Sequence, residues 1–305
     1  SILYVANKLI ENNTARLGKN LWSESVSGDP VYVYEAYNED DECGFITEKI
    51  RELVAEGYKR SNIAILYRSN YLSRRIEEEL NSKSIPYKIF GGFRFFERAE
   101  IRNALGYVRL VSQRDADAAF ERVVNVPPRG MGNRTLEEIR HIARSEQLSL
   151  WRAAKRLLAD GTLTARRKSS ISGFLSLIED MDELTQGVDL EQLVRTVIER
   201  SGLVSYYEKE RGERGQARIE NLGELVTAAR SFDPRENLTF NPPTENEEEL
   251  SLLDEFLSHA SLEAGEAQGD SSEDCVQLMT MHSAKGLEFP LVFLAGMEEG
   301  LFPHR

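Results

Sequence analysis

Strand-like sequence occurs at both ends of this 305-residue chain and is missing from its middle, and that interruption restricts the fold more than any other feature. In the first third, "PVYVYEA" (30–36), "NIAILYRSN" (62–70) and "IPYKIFGG" (85–92) read as strands, rich in β-branched and aromatic residues. Between them, "DDECGFITEKIRELVAEG" (40–57) sets apolar residues at helical spacing, with Gly57 to end it, and "SRRIEEELNSKS" (73–84) follows as a second helix. Strands alternating with helices predict a parallel sheet with crossover helices. From about Glu97 the periodicity turns helical, punctuated by "PPRGMGNR" and "GERGQA", until strand patterns return at 276–281 and 290–295. The simplest path is an α/β domain over 1–107, an all-helical insertion over 108–273, and a return to the first sheet over 274–305. The opening "SILYVANKLIENN" reads as an amphipathic helix with Ile2, Val5, Leu9 and Ile10 on one side. "NPPTENEEE" (241–249) holds four acids and two prolines and is expected to be poorly ordered.

Charge enters through its distribution. The net charge of −13 argues against a polyanionic partner, yet residues 233–274 hold 13 acids against one base, Arg235. The remaining chain carries 37 bases and 38 acids, close to neutral, and residues 121–170 carry 11 Lys or Arg against 5 acids. A locally basic surface can hold a polyanion whatever the total charge; a solvated helical face accounts for it equally well. No apolar run approaches the about 20 residues of a membrane helix, so no membrane partner is expected. Cys43 and Cys275 are isolated from metal-ligand neighbours, so neither a metal site nor a disulfide framework is expected, and a cytoplasmic location is the expectation.

Loops after the carboxyl ends of parallel strands are where α/β sheets bind ligands. Two loops here have that form. "MTMHSAKGLEFP" (279–290) sets His282, Lys285 and Glu288 between the last two strand candidates, and "ILYRSN" ends in Arg68 and Asn70. Arg presents a planar fork to phosphate, and Asn both donates and accepts; ordinary polar loop ends remain the other reading. In "PPRGMGNRTLEEI" (127–139), Gly130 and Gly132 flank Met131 ahead of a helix, with Thr135 and Glu138 at capping-box spacing and Thr135 the expected N-cap. Such a turn lets phosphate approach backbone N–H groups, with Arg129 and Arg134 adding charge; a plain helix connector fits the same residues. A G-x-x-x-x-G-K-[ST] phosphate loop occurs nowhere in these 305 residues, so the chain is expected neither to cradle nor to hydrolyse a triphosphate by itself.

"TMHSAKGLEFPLVFLAGMEEGLFPH" resembles motif V and its extension in the UvrD/PcrA/Rep group of superfamily 1 DNA helicases. "IAILYRSNYLSRRIEEEL" resembles motif IV of that group. "IPYKIFGGFRFFERAEIRNALGYVRL" resembles the passage from its RecA-like domain 2A into the inserted domain 2B, and "NVPPRGMGNRTLEEI" resembles the glycine motif with which 2B grips duplex backbone. "SILYVANKLIENNTARLGKNLW" resembles the stretch following the group's "NYRS" motif. The resemblance implies a RecA-like 2A domain, incomplete here, interrupted by an all-helical 2B. It implies a 3′–5′ DNA helicase driven by ATP and Mg that translocates on single-stranded DNA and unwinds duplex in DNA repair. This chain would be an excised piece without domains 1A and 1B or motif VI, inactive alone, with no catalytic residue and no cofactor of its own. Residue by residue, Glu288, with Gly286 beside it, is implied to face the nucleotide. Arg68, Asn70 and His282 are implied to line the single-strand track, and Lys285 to join either set. Arg129, Gly130, Met131, Gly132 and Arg134 are implied to meet duplex DNA. Implied partners are single-stranded and duplex DNA, the missing domains and repair proteins. A replication role of the PcrA or Rep kind, and a non-catalytic DNA-binding or protein-interaction module, stay open.

Overall fold

The computed structural model describes residues 2–11, 22, 29–234, 251–265, 274–299 and 301–302. The stretch 241–249, expected to be poorly ordered, lies outside them. Four strands form one sheet among the described residues: β1 (Ile63–Tyr67), β2 (Tyr87–Ile89), β3 (Val276–Thr280) and β4 (Leu291–Leu294), in the order β2-β3-β1-β4. Every pairing is parallel, with Ile65 opposite both Leu278 and Phe293. The late strands therefore rejoin the early sheet, and β1 lies between β3 and β4. Its central position explains its composition: Ile63, Ala64 and Ile65 are fully buried, as a parallel strand covered on both faces requires.

Among the described residues, three α-helices precede the helical unit: α1 (Ile2–Ile10), α2 (Glu39–Ala55) and α3 (Ser73–Ser82). The Asn38 side chain caps α2 by accepting from the Asp41 N–H at 2.8 Å, and the acidic first turn, Glu39 to Glu42, complements the helix dipole. Cys43, Ile46, Ile50 and Leu53 form its buried face, and Gly57 at φ 101° turns the chain away as expected. The predicted amphipathic α1 forms, but none of its residues is buried.

The strand expected at 30–36 does not form. Residues 29–36 have no regular structure, and Tyr32 and Val33 are 84% and 91% exposed. A strand needs a ladder partner as well as suitable side chains, and this segment pairs with none among the described residues. Tyr34 instead stacks flat on Phe45 of α2, with ring centroids 3.8 Å apart, and donates its hydroxyl hydrogen to Asp41.

The middle of the chain supplies α4 (Ala99–Ser112), α5 (Asp117–Val123), α6 (Asn133–Glu146), α7 (Leu150–Ala159), α8 (Ala165–Leu184), α9 (Leu190–Ser201), α10 (Leu203–Tyr207), α11 (Glu213–Ser231) and α12 (Leu252–Gly265). Their apolar faces build a core separate from that of the sheet, around Tyr107, Phe120, Phe174, Val197, Leu225 and Phe256. This helical core begins at Phe95, and α4 runs unbroken through residues 107 and 108, both fully buried in it. Its face of Ile101, Ala104, Tyr107, Val108 and Val111 explains that continuity: cutting the helix there would expose an apolar stripe that packs against α5, α8, α9 and α11.

Both thiols are free and buried, and burial pushes the Cys43 thiol up to about 12. Native protein is therefore expected to resist a disulfide reagent such as DTNB, with both thiols titrating only on unfolding in urea. Stoichiometric reaction within minutes in native buffer would show that the sheet core opens around α2 or β3.

Candidate nucleic-acid and nucleotide interface

Parallel pairing puts the carboxyl ends of all four strands on one edge. There, β1 ends in Arg68 and β3 runs into the His282 loop. The Met281 N–H still donates to the Tyr67 carbonyl at 2.9 Å, extending the ladder one residue past the strand and fixing the loop beside Arg68. The two side chains then meet: an Arg68 Nη1 lies 3.4 Å from His282 Nδ1. A guanidinium can only donate, so a hydrogen bond between the two has Nδ1 as its acceptor.

The 281–290 loop is stiffened from within. The Ser283 N–H donates to Thr280 Oγ1 at 3.2 Å, the hydroxyls of these two residues lie 3.0 Å apart, and the Ala284 N–H donates to the Thr280 carbonyl. Gly286 takes φ 88°, a left-handed conformation costly for any side chain. Lys285, Gly286 and Glu288 beyond it are exposed, and so is Asn70, which opens a short 3-10 turn over Asn70–Leu72. The exit of β2 borders the same loop, since a Cβ on Gly91 would sit 3.7 Å from Ser283 Oγ.

The glycine turn belongs to the helical unit. The Asn125 side chain brackets it, accepting from the Arg129 N–H at 2.8 Å and donating to the Met131 carbonyl at 3.1 Å. Gly130 has φ 75°. The expected cap is corrected: Gly132 is the N-cap residue of α6, and Thr135 is buried inside the helix, where its hydroxyl accepts from Arg167 at 2.9 Å. Glu138 completes no capping box and pairs with Arg167 at 2.5 Å and Arg134 at 3.2 Å. The spacing of Thr135 and Glu138 fits a capping box, but the chain turns one residue before Asn133, so Thr135 falls on the face that α8 covers.

The residues grouped at this turn separate. The Met131 side chain is buried in the helical core. Arg129 donates to the carbonyls of Val123, Pro127 and Ser201 at 2.9–3.2 Å and lies over the rings of Tyr107 and Phe174, which makes it the brace of the turn. Of these five residues, only Gly130, Gly132 and Arg134, whose side chain is 88% exposed, face outward. About half of the bases in the basic stretch are ion-paired, as in Arg140–Glu121, Arg152–Asp115 and Lys155–Glu179; among the described residues, Arg122, Arg129, Arg144, Arg166 and Lys168 make no ion pair. Sequence reasoning missed Asn125 and the inward role of Arg129, because a polar side chain serving backbone groups leaves no periodic trace.

Among the described residues there is no helix long and apolar enough to cross a membrane, and no group of three or more His, Cys, Asp or Glu suited to a metal ion. A parallel sheet with polar tips, interrupted by a helical unit, defines an α/β domain with a helical insertion. The chain belongs to the UvrD-like helicase C-terminal domain family, matched over residues 1–305. It is 51% identical over 303 residues to DNA helicase II of Escherichia coli strain K12 and 50% identical to that of Haemophilus influenzae. It is 35% identical over 304 residues to the ATP-dependent DNA helicase PcrA of Staphylococcus aureus. These alignments cover 99–100% of this chain but 40–41% of the relatives, so the chain spans about two fifths of their length.

Proposed function

We propose that this chain is the part of an ATP-dependent 3′–5′ DNA helicase acting in DNA repair that grips single-stranded DNA at the sheet edge and duplex DNA at the glycine turn. The observation that carries this reading is the contact between Arg68 and His282, 214 residues apart in sequence, on the edge where parallel sheets bind ligands. Arg68, Asn70, His282 and Lys285 contact the strand. The backbone at Gly130 and Gly132 contacts duplex phosphates with Arg134, while Arg129 and Met131 hold that turn in shape. Glu288 and Gly286 face the ribose of ATP, because an exposed carboxylate on a stiffened loop can accept from sugar hydroxyls. These residues suit one edge of a nucleotide and lack a triphosphate cradle. When bound in the complete protein, ATP with Mg supplies the free energy of translocation, and the cradle comes from domain 1A. Residues 1–107 and 274–305 then form domain 2A and 108–273 form domain 2B, with α4 as the shared element.

Anisotropy titrations with a labelled oligo-dT and a labelled DNA hairpin test both grips. Arg68→Ala with His282→Ala is expected to weaken oligo-dT binding about tenfold, near 1.4 kcal/mol, and to leave hairpin binding within about twofold. Gly130→Ala with Arg134→Ala should do the reverse, equally for any duplex sequence and with a shallower salt dependence. Unchanged oligo-dT binding by the folded first variant would remove the strand-gripping role. Unchanged hairpin binding by the second would make the turn a mere helix connector.

A further inference from the structure

A buried cation connects the helical unit to the sheet edge. Arg98, the N-cap residue of α4, is 7% exposed. Its Nη1 donates to the Asn70 carbonyl at 2.9 Å and to Asn221 Oδ1 of α11 at 3.0 Å. Its other terminal nitrogen donates to Ser73 Oγ at 2.6 Å and lies 3.8 Å from Glu77. Glu77 is tied in turn to the Ser73 hydroxyl at 2.5 Å and to the Phe95 N–H at 3.1 Å. On the far side, Asn221 donates to Glu100 at 2.7 Å, and Glu100 pairs with Arg218 of the same helix at 3.4 Å.

The route is continuous, buried and short. Asn221 sits in α11; Arg98 bridges; Asn70 sits on the exposed tip next to Arg68. What Arg98 holds at Asn70 is the backbone, and the backbone of a 3-10 turn sets where its side chain points. The Asn70 side chain is left free for a ligand while its carbonyl is clamped. Arg74 gives a second, independent tie between α3, which follows the tip directly, and α11: its Nε donates to Glu224 at 2.5 Å.

We propose that Arg98 is a positioning residue that couples the seating of α11 to the single-strand grip, through Asn221, Arg98 and the Asn70 carbonyl. The proposal rests on the reading of Asn70 as a strand contact. It assigns to Asn221, a side chain 3% exposed in the helical unit, an influence on DNA affinity at a tip it does not form.

A double-mutant cycle on the 305-residue chain separates coupling from mere support. Asn70→Ala removes the tip side chain but leaves the carbonyl that Arg98 holds. Asn221→Ala removes the acceptor on α11, and Asn221→Ser is the milder replacement should alanine compromise folding. Oligo-dT affinity is read by anisotropy at 10 °C, with melting temperatures recorded alongside. The expected result is an about fivefold loss for Asn221→Ala that shrinks below about twofold in the Asn70→Ala background. Arg98→Lys, which keeps the charge but cannot reach both acceptors, should behave like Asn221→Ala. If Asn70→Ala itself leaves affinity unchanged, Asn70 does not touch the strand, and that reading and the coupling fall together. If Asn70→Ala weakens binding but the folded Asn221 variants do not, the coupling alone falls. Equal losses from Asn221→Ala in both backgrounds would also overturn it, since the effect would not pass through Asn70.

Discussion

Replacing Arg74 with alanine is expected to cost the folded chain about 3 kcal/mol at pH 7.5. The side chain is 3% exposed, and its guanidinium faces Glu78 at 2.7 Å and Glu224 at 2.5 Å, themselves 20% and 13% exposed. The net value of such a cluster is small, because desolvation offsets most of the attraction. Deleting the cation alone is different: shielded Glu224 loses its ion-pair partner, and Glu78 keeps only Arg75, 3.0 Å away. The pH dependence follows from Glu224. Burial pushes its carboxyl up, with Arg74 opposing, so its folded pKa lies above its unfolded one. A carboxyl raised in this way contributes stability that is fully present below the unfolded value, about 4.3, and lost as the pH rises through the folded one. Without Arg74 the rise is larger, so the variant's deficit should be greater at pH 7.5 than at pH 5. Urea unfolding at both pH values measures this; a deficit below about 1 kcal/mol at pH 7.5 would mean that the cluster behaves as an exposed pair. Replacing Arg74, Glu78 and Glu224 together by apolar residues of similar size should come out near neutral.

Two glycines of α11 are expected to give opposite signs. A Cβ on Gly215 would lie 2.5 Å from the Tyr207 carbonyl oxygen and 2.8 Å from that of Glu210. Both are backbone atoms of the turn leading into the helix, so no rotamer change relieves the contact. Gly215→Ala is expected to lose about 3 kcal/mol, at the upper end of ordinary overpacking. The displaced turn also carries Tyr207, whose hydroxyl accepts from Asn103 at 3.1 Å inside the helical core. Gly223, further along the same helix, is exposed, and a Cβ there meets nothing within 4 Å. Gly223→Ala should stabilise by up to about 1 kcal/mol through helix propensity alone. Thermal melts of the two variants decide this, and destabilisation of equal size at both positions would contradict the close approach at 215.

The local signals proved strong where one element's own residues specify it. Gly57 stops α2 because only a left-handed residue can end that helix there, and the apolar runs at 63–67 and 276–280 are strands because their side chains suit a sheet buried on both faces. Resemblance then selected the tips. Failures came where a second element casts the vote. The composition of 30–36 fits a strand, yet no neighbour among the described residues offers a ladder, and Tyr34 lies on Phe45 instead. Thr135 has capping spacing, yet α8 covers it and Arg167 takes its hydroxyl.

The amino-acid sequence by itself determined the alternation of elements, the helical interruption and the polar loops at 68–70 and 282–288, because period, turn residues and motif spacing are local properties. Only the tertiary structure decided that β1 lies between β3 and β4, that Arg68 meets His282, that Arg129 faces inward, and that Arg98 joins Asn70 to Asn221. Each of these depends on which distant backbone or side chain is near enough to share a hydrogen bond, and that proximity is set by how the two cores pack.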